Sequence, residues 1–136
     1  MNLWIDCEWN GPRGVLLSMA LVGEEGQEWY EVLQTPSNVD PWVRENVIPK
    51  LDKAPVSLKE MQRSLTSFLR PWQFVNITAD WPEDIARFCE LLIAGPGLRI
   101  DTPPLTMKVI RLDSFSENPH NALADARALR LADLGE

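Results

Sequence analysis

An α/β fold, a mixed β-sheet with helices laid against it, is the class that the patterning of this chain predicts. Three strand-like runs follow one another before residue 34, and immediate succession of that kind favours an antiparallel meander. After them, strands alternate with helices, which places helices against the sheet. The chain has 136 residues, 45% of them hydrophobic and 24% charged, the balance of one ordinary globular domain spanning residues 1–136. No repeat, linker or low-complexity stretch divides it.

Residues 3–9 are an apolar, β-prone run, Leu3-Trp4-Ile5-Asp6-Cys7-Glu8-Trp9. Residues 10–14 contain Asn10, Gly11, Pro12 and Gly14 and read as a turn. Residues 15–22 are too continuously apolar for an exposed edge and predict a second strand. A Gly-rich hairpin turn over residues 23–27 leads to a third strand over residues 28–33.

The pattern changes at Thr35-Pro36-Ser37-Asn38. Asp40 is placed to cap a short helix with Pro41 in its first turn, ending near Pro49. Ser57-Leu58-Lys59-Glu60 is a capping box opening a helix to about Arg70, with Leu58, Met61, Leu65, Phe68 and Leu69 as its apolar stripe. Residues 73–77 predict a strand. A helix begins at Asp80-Trp81-Pro82-Glu83, with Trp81, Ile85, Phe88 and Leu92 spaced for burial and Gly95-Pro96-Gly97 ending it. Residues 98–104 read as a connector, 105–110 as a short strand, 113–119 as a loop and 121–134 as a last helix.

Composition excludes several classes. No apolar run approaches the length of a membrane span. The start of the chain lacks a basic segment followed by a cleavage site, so a signal peptide is not expected. Cys7 and Cys89 lie in apolar contexts, as free thiols in a reducing cytoplasm would. The net charge of −7 argues against a broad basic surface for nucleic acid. It leaves room for an enzyme that grips a few terminal nucleotides through bound metals.

The carboxylates then decide the chemistry. In a strand, Asp6 and Glu8 share a face about 6.5 to 7 Å apart at Cα. Like charges on an apolar strand are costly unless a cation lies between them, although solvated acids on an edge strand account for the pair equally simply. Asp80 follows a strand where polar groups from several elements converge; its local alternative is an N-cap completed by Glu83. Asp125 shares the apolar face of Ala122, Leu129 and Ala132 in the last helix, where an acid is rarely buried without a partner or a metal; its local alternative is an early-turn acid favoured by the helix dipole. His120, the single histidine, immediately precedes that helix; imidazole as a side-chain type suits proton transfer near neutral pH, and a structural or solvated role is the alternative. Oxygen-rich ligands favour Mg²⁺ or Mn²⁺ over zinc.

Asp6-x-Glu8, Asp80, and His120-Asn121-Ala122-Leu123-Ala124-Asp125-Ala126 together resemble the three motifs of the DEDDh 3′-5′ exonucleases of the ribonuclease H-like superfamily. Residues 41–51, from Pro41-Trp42-Val43-Arg44 to Leu51, and the Trp29-Tyr30 strand are similar to the small mycobacterial-type 3′-5′ exoribonuclease domain, which is related to ribonuclease T and oligoribonuclease. The resemblance implies a ribonuclease H-like sheet of three antiparallel and then parallel strands. It further implies two divalent ions on Asp6, Glu8 and Asp125, with Asp80 helping to hold the second. In that scheme His120 is the general base, and nucleoside 5′-monophosphates leave from the 3′ end of single-stranded RNA or DNA.

Trp9 is a candidate for stacking a terminal base, or else a core aromatic. Arg44 is a candidate substrate or dimer contact, or else a surface ion pair. Homodimers are common among such enzymes. The competing expectations are a 3′-5′ exodeoxyribonuclease, an endonuclease of the same superfamily, and a catalytically silent nucleic-acid-binding domain.

Overall fold

The first apolar run forms a strand, β1 (Asn2–Trp9), in a computed structural model that describes residues 1–135. β2 (Leu16–Gly23) and β3 (Glu28–Val32) complete the expected antiparallel meander. The chain then leaves the sheet through α1 (Pro41–Asn46), where the Asp40 carboxylate accepts hydrogen bonds from the Trp42 and Val43 amides at 3.0 and 3.4 Å. A single 3-10 turn, Ile48–Lys50, follows. α2 (Leu58–Leu69) opens at Ser57, whose hydroxyl accepts from the Glu60 amide, and leads to β4 (Val75–Ala79), parallel to β1.

α3 (Pro82–Leu91) is followed by a small hairpin of β5 (Ile93–Gly95) and β6 (Leu98–Arg99). β7 (Leu105–Val109) returns parallel to β4, and α4 (Ala122–Leu134) closes the fold. The five-stranded mixed sheet has the order β3-β2-β1-β4-β7. Among the described residues no helix is long and apolar enough to cross a membrane.

Side-chain alternation divides the core between the two faces of the sheet. On one face Leu3, Ile5, Met19, Leu21 and Ile77 pack against Met61, Leu65 and Leu69 of α2 and Phe88 and Leu91 of α3. On the other, Ala20 and Val22 meet Ala122 and Ala126 of α4. A third cluster, Leu17 and Val32 with Val43 and Val47, anchors α1.

Four details depart from the sequence expectations. Asp80 does not cap α3: the N-cap is Trp81, without a side-chain hydrogen bond, and Pro82 takes the first helical position. The buried stripe of α3 is therefore Asp84, Phe88 and Leu91, and Trp81 is 56% exposed. Pro82 suits N1 because its missing N–H is one that the helix leaves unpaired there. Residues 93–99, expected as a helix stop and connector, form the hairpin, with Gly97 at φ +68° in the left-handed region that its turn requires. Leu58, assigned to the core stripe of α2, is 53% exposed, because it occupies the first turn beyond the edge of the core.

This reassignment of α3 is measurable. Phe88→Ala, at a site with no exposure, should lower the unfolding free energy by about 3 to 5 kcal/mol in urea titrations. Trp81→Ala should change it by less than about 1 kcal/mol; a large loss would return Trp81 to the core.

Candidate active site

Alternation along β1 puts Asp6 and Glu8 on the face covered by α4, opposite Ile5 and Cys7. Asp125 lies in the first turn of α4. Asp80 immediately follows β4, and Asp84 lies in the first turn of α3, where negative charge suits the helix dipole. Four separate elements thus converge on Asp6. Carboxylate oxygens of Asp6, Glu8 and Asp125 lie within 4.8 Å of one another, and so do those of Asp6, Asp80 and Asp84.

The four acids expected from the sequence are therefore brought together, and a fifth, Asp84, joins them. Its signal was present in the sequence: Asp84, Phe88 and Leu91 fall at i, i+4 and i+7. That stripe lost out to the one through Trp81, which a helix starting at Asp80 would have buried.

Hydrogen bonding leaves this cluster open to a cation. One oxygen of Asp84, Oδ1, accepts from the Cys7 amide at 3.1 Å. Its Oδ2 and the Oδ2 of Asp6 are buried without any donor. No Lys or Arg among the described residues forms an ion pair with any of the five acids. Buried acceptors normally have partners. Two orphaned carboxylate oxygens within two groups of acids are what a hard, oxygen-seeking cation would complete.

Electrostatics say the same. Burial, followed by repulsion from Asp84, Glu8, Asp125 and Asp80, pushes Asp6 well above the usual carboxylate range. Burial first, then Asp125 and Asp84, raises Glu8 to about 8. Burial also raises Asp84, against the opposing hydrogen bond from Cys7, and it raises Asp80. For Asp125, burial prevails over hydrogen bonds from Ser116 and the His120 amide.

His120 stands in the left-handed region at φ 72°, a conformation that His tolerates better than most non-glycine residues. Three contacts hold it there. Its amide donates to Asp125 Oδ2 at 3.1 Å. Asn121 caps α4 by accepting from the Ala124 amide, while its own side-chain N–H donates to the Lys50 carbonyl at 2.7 Å. The imidazole meets the Trp42 ring edge-on, with centroids 5.0 Å apart.

A cleft of about 440 Å³ opens beside Glu8 and His120, walled by Trp9, Trp42 and Trp81 with Glu83 at its rim. Trp9 is partly buried against the main core and also lines this cleft, at a β-bulge that breaks the register between Glu8 and Trp9. Asp6, Asp80 and Asp125 open instead on a neighbouring depression of about 370 Å³, lined also by Phe115 and Pro119. Arg44 is exposed on α1 and lines neither.

A pH dependence with a defined sign follows. Groups whose folded pKa is raised contribute stability below their unfolded value, 4.5 for Glu8, and lose it as pH rises through the folded value, about 8. A bound cation removes that loss and releases the protons. The rise in Tm on adding Mn²⁺ should be larger at pH 8 than at pH 6, and a gain independent of pH would put the ion elsewhere. Asp84→Asn should raise the Tm of the metal-free protein and diminish the Mn²⁺ increment. No protein-family model and no curated protein matches this chain.

Proposed function

We propose that the protein is a divalent-metal-dependent 3′-5′ exonuclease with a ribonuclease H-like fold, hydrolysing short single-stranded nucleic acid, RNA before DNA, to nucleoside 5′-monophosphates. The observation that carries this reading is the pair of acid groups sharing Asp6, each with its oxygens within 4.8 Å. The sheet order β3-β2-β1-β4-β7, antiparallel and then parallel, supports the fold that the sequence resemblance implies.

Asp6, Glu8 and Asp125 would hold one Mg²⁺ or Mn²⁺, and Asp6, Asp80 and Asp84 a second. Such a pair supplies acidification of the attacking water and neutralisation of charge on the scissile phosphate and the leaving 3′ oxygen. The remaining work falls to the chain's own side chains. His120 borders the cleft beside Glu8, where its imidazole takes the proton from the attacking water. The edge-on contact with Trp42 limits the directions in which that ring can turn. The indoles of Trp9, Trp42 and Trp81 offer flat apolar surfaces to a terminal base, a contact indifferent to sequence because every base has a π-face.

Cleavage of 5′-labelled single-stranded RNA and DNA of matched sequence in Mn²⁺ tests the reading. A ladder shortening from the 3′ end is expected, absent with Asp6→Ala. Asp125→Asn should abolish cleavage with severe loss of Mn²⁺ affinity. His120→Ala should keep the metal affinity and lower the rate by about 10². A strand cut internally, or cleavage of a 3′-blocked strand, would replace the exonuclease with an endonuclease. Intact strands with folded, metal-loaded protein would leave a binding domain.

A further inference from the structure

A second surface, remote in sequence from the carboxylate motifs, runs along the outer side of α2. Lys59, Arg63, Thr66 and Arg70 recur at i, i+4, i+7 and i+11, so they form one stripe, opposite the buried Met61 and Leu65. With Gln62 and Ser67 they line a groove of about 590 Å³, closed on its far side by Ala94 and Ile100 around the β5–β6 hairpin. Three hydrogen bonds tie α2 to the hairpin and the residues flanking it: the Gln62 amide donates to the Leu91 and Ile93 carbonyls, and the Thr66 hydroxyl donates to the Asp101 carbonyl at 3.1 Å.

The charge in this groove is unusual for the protein. The chain carries a net −7, yet no acidic residue lines the groove. Lys53, Arg87 and Arg127 are neutralised by glutamates. The head groups of Lys59, Arg63 and Arg70 have no hydrogen-bond or ion-pair partner among the described residues. Three cations held apart along about 16 Å of helix make a line of charge, which matches a repeating polyanion better than a single phosphate.

The line also has a direction. Glu8, Ser18 and Val32 are paired across the sheet in one row, and the Val56 amide, just before α2, donates to the Val32 carbonyl. Lys59 thus stands level with the Glu8 end of the strands, on the α2 side of the sheet, across from the face that α4 covers. Arg70 stands at the other end, where the chain turns back into β4.

We propose that this groove binds the phosphodiester backbone of a single-stranded nucleic acid, holding nucleotides upstream of the 3′ end. The inference rests on the nuclease reading for the identity of the strand, and the groove's own chemistry supplies the contacts: three cations for phosphates, with Ser67 and Gln62 to hydrogen-bond sugar and phosphate oxygens.

Binding of a labelled single strand of about 15 nucleotides, measured by anisotropy at low salt without divalent ions, reads the groove apart from any metal-mediated contact, with the groove's share given by the difference between wild type and variants. The variant K59A/R63A/R70A should lose about tenfold in affinity, and the slope of log K against log salt should fall by about 2. In Mn²⁺ its hydrolysis of a dinucleotide, too short to span both surfaces, should match the wild type. Arg63→Glu alone should weaken strand binding in the same direction, which covers a triple variant that fails to fold. Equal affinity and slope in wild type and variants overturn the proposal, as does a wild type that binds polyglutamate as tightly as the strand. Loss of strand binding in the variants with no cleavage by any protein supports the groove and rejects the nuclease.

Discussion

Repulsion around Asp6 is the constraint on which the rest of the molecule depends. Asp6, Glu8, Asp80, Asp84 and Asp125 come from β1, the end of β4, α3 and α4, and no cation of the described residues separates them. Left to themselves these groups would drive the elements apart or take up protons. They stay together because apolar contacts act on both faces of the sheet at once. Phe88 and Leu91 fix α3 on one face, while Ala122 and Ala126 fix α4 on the other. The acids are therefore assembled by packing, and no ion pair among the described residues offsets their charge.

A polar frame at the start of α4 connects that cluster to the cleft. Asn121 donates to the Lys50 carbonyl, and Lys50 in turn reaches the Pro119 carbonyl at 3.1 Å. The segment carrying Trp42 and the segment carrying His120 are thus joined on both sides of the histidine. Since the His120 amide also bonds Asp125, the histidine, one carboxylate of the cluster and one wall of the cleft share a single connection. The strained φ of His120 persists because its neighbours over-determine it.

Much of this was legible in the sequence, for reasons that differ by residue. Period-two alternation placed Asp6 and Glu8 on one face, and the helical spacing of Asp125 with Ala122 and Leu129 placed it inward. Both are consequences of backbone geometry alone. Asp84 was missed because the register of α3 turns on where the helix begins. Starting it at Asp80 buries Trp81, and starting it at Pro82 buries Asp84; the local capping preference of aspartate favoured the first. Tertiary packing around Phe88 decided for the second. The β5–β6 hairpin was invisible because strands of two or three residues carry no periodicity to read. Asp133, which has the look of a solvated surface acid, accepts from the Trp4 indole at 2.8 Å, a partner that lies 129 positions away and leaves no local trace.

The small side chains of α4 set the tolerances of the whole centre. Ala122 and Ala126 face Ala20 and Val22 with no exposure at either alanine, so the helix rides close against the sheet. At that height the short side chain of Asp125 suffices to reach Glu8. Each added methylene at positions 122 or 126 would act as a shim beneath the helix, and in a close-packed interior such a change is transmitted to neighbouring atoms. Alanines with no chemistry of their own thereby become as exacting in their identity as the acids, because they define the reach over which an aspartate is long enough.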